Sequence, residues 1–132
     1  IETAGGVNVA KDVQGQWTPV TMEQIAAWDP DVIILSNFDP IQPADLFEDK
    51  LEGQNWKNIK AVREGHVYKA PIGLYRWDAP CVETPLMIKW IAQKLHPEVF
   101  DDYRLADDLR GFYEKFFSYT LTDADLKMIL HE

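Results

Sequence analysis

Tyr75, Arg76 and Trp77 set two aromatic rings around one guanidinium, inside the stretch Gly-Leu-Tyr-Arg-Trp-Asp-Ala-Pro-Cys-Val-Glu-Thr-Pro from Gly73 to Pro85. A guanidinium is a planar fork of donors that matches carboxylate, catecholate or oxyanion oxygens. The rings on either side offer flat apolar walls. No nucleophile stands beside a base in this stretch, so its chemistry is that of binding. Each residue also has a plainer role open to it. Arg76 could form a salt bridge to one of the many acidic side chains, and Trp77 could belong to the core. Alternation along an extended segment would turn Tyr75 and Trp77 one way and Arg76 the other.

The elements that must position this cluster are short. Thr21 is an N-cap for a helix running from Met22 to about Trp28, stopped by Asp29-Pro30-Asp31. Val32-Ile33-Ile34-Leu35 is an unbroken β-branched run, which reads as a strand buried on both faces in a parallel sheet. A loop from Ser36 to Pro43 leads to a short helix over Ala44 to Leu51, and Ile59 to Val62 forms another short element. His66 to Ala70 is a second strand, ended by Pro71. Val7 to Ala10 is either a short strand or a loop.

Helical spacing recurs over Pro85 to Leu95, ended by His96-Pro97, and over Leu105 to Tyr119. Thr122 caps a last helix with Leu126, Ile129 and Leu130 on its apolar side. The alternation of strands and helices gives the α/β class, with a small, mostly parallel sheet, over one domain spanning 1–132. Ligands of such sheets bind outside the carboxyl ends of the strands. Asn37 and Phe38 follow the first strand, and Tyr75, Arg76 and Trp77 follow the second.

The formal net charge of −9 repels nucleic acid, and no basic run tracks phosphates. An anionic ligand therefore needs a local positive site, which Arg76 supplies. Cys81 is the single cysteine, so neither an internal disulfide nor a Cys-rich metal site is available. The three histidines, His66, His96 and His131, lack metal-ligand spacing. No cofactor and no protein-bound metal is expected. Cys81 reads as a buried thiol, Glu83 as a capping or first-turn carboxylate, and the Phe112, Phe116, Tyr119 stripe as core packing. No run is long and apolar enough to span a membrane. Catalytic signatures such as a Gly-x-Ser-x-Gly elbow, a phosphate loop or GxGxxG are lacking, which argues against an enzyme.

The ordered set Gly5-Gly6-Val7-Asn8, Thr21 to Ile25, Asp29 to Ile34, Trp56 to Val62 with Gly65 to Tyr68, Tyr75-Arg76-Trp77 and Leu95 to Phe100 resembles the C-terminal lobe of periplasmic substrate-binding proteins of ABC importers. The subgroup is the one for ferric siderophores, haem, cobalamin and, in some members, molybdate or tungstate. The resemblance implies a three-layer α/β/α lobe, the C-terminal half of a two-lobed protein, with an N-terminal lobe and connecting helix preceding Ile1. Ligand would lie in a cleft between the lobes.

The resemblance further implies an extracytoplasmic carrier of an iron chelate, either periplasmic or lipid-anchored, that delivers its ligand to an ABC permease. Arg76, Tyr75, Trp77, Asn37 and Phe38 would contact ligand. Glu23, at the family's docking position, would meet permease arginines, although a carboxylate in a first helical turn also has the helix dipole as its reason. A cobalamin, haem or oxyanion carrier is the alternative in the same class. Outside it stand a small α/β enzyme and a protein-interaction domain, each with an aromatic pocket.

Overall fold

The computed structural model of the chain describes residues 1–15 and 17–132. They group into two compact units, one of Val7–Lys69 and one of Ile1–Gly6 with Ala70–Glu132. The first unit carries the strands, and the second is helical.

In the strand unit, Thr21 begins α1 (Met22–Trp28) by accepting the Gln24 N–H at 3.2 Å. The helix ends at Asp29, left-handed at φ 38°, just before Pro30. β1 (Ile33–Leu35) then pairs in parallel with β2 (Val67–Lys69), setting Ile33 opposite Val67, Ile34 opposite Tyr68 and Leu35 opposite Lys69. The crossover between them carries α2 (Pro43–Phe47) and α3 (Lys60–Arg63). The chain is thus α/β with a small parallel sheet, two-stranded among the described residues.

The two carboxylates around Pro30 both serve the start of α3. Asp29 Oδ1 accepts the Lys60 N–H at 2.7 Å, and Asp31 meets the Lys60 ammonium at 2.6 Å. Leu46, Ile59, Ala61, Val62 and Val67 form the buried centre of this unit, and Ile25, Ile33, Leu35 and Trp56 pack on its margin. β1 differs from a strand buried on both faces, because Ile33, Ile34 and Leu35 are all half-buried. Its apolar run has one neighbouring strand among the described residues, so part of each side chain stays in contact with water. Val7 to Ala10 forms no strand and passes into a turn.

The helical unit contains α4 (Thr84–Leu95), α5 (Leu105–Phe117) and α6 (Asp123–Leu130). Each buries one line of side chains: Leu86, Trp90 and Ile91 from α4, Leu105, Leu109 and Tyr113 from α5, Leu126 and Ile129 from α6. Spacings of three and four residues bring each line to one face. Thr122 and Asp125 cap α6 reciprocally, each accepting the other's backbone N–H. Asp108 of α5 bonds to Lys89 of α4 and to Tyr103, and Lys89 is the first cause of its lowered pKa.

A 3-10 turn over Glu2–Ala4 lies against α4. It exits through Gly5 at φ 81°, where a Cβ would come within 2.8 Å of His96 Nε2. His96 itself is the C-terminal boundary residue of α4, as its place before Pro97 suggests.

The aromatic stripe on α5 is not core packing. Phe116 is 60% exposed, Tyr119 is 51% exposed and Phe112 is half-buried. The inward line of α5 is Leu105–Leu109–Tyr113, so Phe112 and Phe116 fall on the adjoining line. There they border an open groove of about 880 Å³ together with Val82, Leu86 and Phe117.

Candidate ligand-binding site

In the strand unit, a loop follows β1. Phe38 donates its N–H to Ser36 Oγ at 3.1 Å, and Ile41 donates its own to Asp39 Oδ1 at 2.9 Å. The loop is pinned from beneath by Lys69, the last residue of β2, which is 6% exposed. Its ammonium donates to the carbonyls of Asp39 at 2.6 Å and Ile41 at 2.8 Å. A buried cation needs such acceptors, and meeting that need holds the loop in one conformation.

On this loop Phe38 points outward, and Trp17 meets it edge to face, with ring centroids 5.4 Å apart and planes at 85°. Trp17 is 74% exposed and Phe38 62%. Asn37 is half-buried. Phe38 stands on the loop at the carboxyl end of the parallel strands, where sheets of this kind take ligands, and Trp17 reaches it from the segment before α1. Trp17 was missed in the sequence because it sits among polar residues, far along the chain from Phe38. Lys69 was missed because a charge in a strand-like run reads as surface.

In the helical unit, the chain after β2 carries Tyr75, Arg76 and Trp77. It is not an extended strand. Ile72 and Arg76 form an antiparallel bridge, Gly73 N–H donates to Tyr75 O at 3.0 Å, and Trp77 N–H donates to Pro71 O at 3.0 Å. The chain therefore turns back on itself at Leu74 and Tyr75. That turn breaks the alternation expected for an extended segment. Tyr75 is 54% exposed, whereas Trp77 is 2% exposed and lies in the core of its unit.

Arg76 lies between these extremes. Its guanidinium carbon sits 5.7 Å from the centroid of the Tyr75 ring, and its Nε is 3.7 Å from Asp78 Oδ1. The acidic partner foreseen in the sequence is thus Asp78. At 3.7 Å the contact is an ion pair, longer than the 2.7–2.9 Å at which a guanidinium grips a carboxylate with its fork.

Glu83 stands at the N-cap position of α4, as the sequence suggests, but its side chain is turned to another use. It is fully buried and makes no side-chain cap to α4. Its carboxylate instead accepts the Tyr113 hydroxyl at 2.6 Å and the Tyr75 N–H at 3.3 Å. Cys81 is a half-buried thiol. Among the described residues, no three His, Cys, Asp or Glu side chains gather into a metal-holding group.

Glu23 is the second residue of α1 and is exposed. Its carboxyl is held below the usual range by its own backbone N–H and by the Thr21 hydroxyl, so it presents a stable negative charge.

The sequence profile described as periplasmic binding protein matches residues 1–72, more than half of the chain. The chain belongs to this family. A periplasmic solute-binding protein from Veillonella parvula superposes on it with a TM-score of 0.92 at 61% identity, over 97% of this chain and 39% of that one. Molybdate-binding protein MolA of Haemophilus influenzae is 30% identical over 118 residues, covering 89% of this chain and 32% of MolA. The molybdate-bound structure of MolA matches with a TM-score of 0.70 at 30% identity, over 92% of this chain and 36% of that one. A TroA-like periplasmic binding protein, FepB from Veillonella parvula, matches with a TM-score of 0.66 at 26% identity, over 90% and 38% respectively. The chain therefore spans about a third to two-fifths of the length of these family members.

Proposed function

We propose that residues 1–132 are the C-terminal lobe of the solute-binding component of an ABC importer. It works outside the cytoplasm, free in a periplasm or lipid-anchored at the outer face of the membrane. It holds an iron chelate, a ferric siderophore, and hands it to the permease without chemical change. Family membership supports the carrier role, and the relatives named above are binding proteins by description.

The observation that carries the choice of ligand is the exposed Trp17–Phe38 pair. Large apolar faces left in water lose free energy that contact with an organic ligand recovers. A bare tetrahedral oxyanion has no apolar surface to meet them. Within the strand unit Asn37 offers a polar group beside that pair, and within the helical unit Arg76 offers a guanidinium and Tyr75 an exposed ring. Trp77 supports the turn from within. The second reading is a molybdate carrier, favoured by the 30% identity to MolA.

The test is a tryptophan-fluorescence titration of the full-length protein. The panel holds ferric catecholate, hydroxamate and citrate chelates, haem, cobalamin and molybdate. Saturable quenching by a ferric chelate, lost in Trp17→Ala, is the expected result. Saturation by molybdate alone, indifferent to Trp17→Ala, selects the second reading. Turnover of any panel compound would point to an enzyme instead.

Delivery makes a separate prediction. Glu23 offers an exposed carboxylate on a short helix, suited to a salt bridge with permease arginines. Glu23→Arg is expected to leave ligand affinity within twofold and to cut ligand-stimulated ATPase activity of the reconstituted transporter by tenfold or more. Unchanged stimulation would remove Glu23 from the docking surface.

A further inference from the structure

Beneath the turn at Leu74 and Tyr75 lies a built polar cluster that no capping or core role explains. Glu83 is completely buried, and Tyr113 is 5% exposed. One oxygen of the carboxylate takes the Tyr113 hydroxyl proton at 2.6 Å, and the other takes the Tyr75 N–H at 3.3 Å. The Tyr75 amide of the turn is thus held by a carboxylate that a phenol from a separate part of the unit also grips. Burial first, and then the Glu83 carboxylate, push the Tyr113 hydroxyl far above the ordinary tyrosine range.

Gly73 makes this contact possible. A Cβ there would lie 2.0 Å from Glu83 Oε1 and 2.5 Å from the Tyr113 hydroxyl, so only bare backbone can run across the pair. Water alone would satisfy the amides of an exposed turn. Sinking a carboxylate instead is costly, and its return is a single defined geometry. The residues carried by that turn are Tyr75, 54% exposed, and Arg76 next to it, whose side chain is 19% exposed.

We propose that Glu83 and Tyr113 are positioning residues for ligand recognition, fixing the turn that presents Tyr75 and Arg76. The proposal rests on the carrier reading and adds to it the residues that act without touching ligand. Glu83→Gln keeps the shape of the side chain but replaces one acceptor oxygen with a donor group. Either the Tyr113 hydroxyl must then rotate to accept from the new NH2 group, or the Tyr75 N–H loses its acceptor. Tyr113→Phe removes the hydroxyl alone.

The experiment uses the full-length protein and the panel of ferric chelates, haem, cobalamin and molybdate. It reads amide hydrogen exchange and ligand affinity in both variants. Exchange at Tyr75 is expected to quicken at least tenfold while Val67–Lys69 stays unchanged, and the bound probe is expected to weaken at least tenfold. A variant that merely lost stability would quicken both segments. Native exchange at the turn, or native affinity in both variants, overturns the proposal and leaves the carrier reading standing. Failure of the unaltered protein to bind any probe overturns both. Should Glu83→Gln not fold, Tyr113→Phe decides by the same criteria.

Discussion

Trp77→Ala is expected to cost about 3–5 kcal/mol of stability, the range for emptying a buried tryptophan site. Trp77 is 2% exposed and follows directly on the turn that carries Arg76. Its backbone N–H donates to Pro71 O at 3.0 Å, which closes that turn. Among the described residues the indole Nε1 has no hydrogen-bond partner, so the side chain contributes by packing. Trp77→Phe should therefore recover most of the loss, since no hydrogen bond goes with the indole. Urea unfolding of the full-length protein measures both. A small loss in the alanine variant, with a large fall in ligand affinity, would instead restore Trp77 as a wall of the binding site.

Arg76→Ala is expected to act first on ligand affinity. Losing a hydrogen bond to a charged ligand group costs about 1.5–3 kcal/mol, roughly 10- to 150-fold in Kd. The ion pair to Asp78 is long at 3.7 Å, but the two side chains are only 19% and 18% exposed, so removing the arginine leaves a largely buried carboxylate short of a partner and lowers stability as well. Arg76→Lys should restore only part of the affinity, because an ammonium keeps the charge and loses the planar fork. Titration of the panel compounds against the three proteins tests this. Unaltered affinity in Arg76→Ala, with a large drop in stability, would make the arginine structural.

These two residues adjoin in the chain, yet their expected effects differ because a turn separates their environments. Alternation along an extended segment puts Tyr75 and Trp77 on one side. The Ile72–Arg76 bridge instead sends Tyr75 to water and Trp77 to the core. Nothing local in Leu-Tyr-Arg-Trp foretells this. The turn depends on Glu83 and Tyr113, which reach it from eight and thirty-eight residues further along, as counted from Tyr75.

Thr21, Thr122 and the dipeptide His96-Pro97 marked helix boundaries that the structure reproduces, and the β-branched run at Ile33 marked a strand. Such signals are local: a hydroxyl reaching a free N–H three residues on, or a branched side chain fitting a pleat. The amino-acid sequence by itself thus determined the α/β class, the order of the elements and the family-like motif series that includes Arg76.

Tertiary structure alone decided which of those residues face water. It drew Trp17 onto Phe38, sank Lys69 beneath the loop and Glu83 beneath the turn, and left Phe116 outside. Burial and long-range hydrogen bonding depend on what arrives from distant positions in the chain. Residue type and spacing therefore state what a side chain can do, and only the packed fold states what it meets.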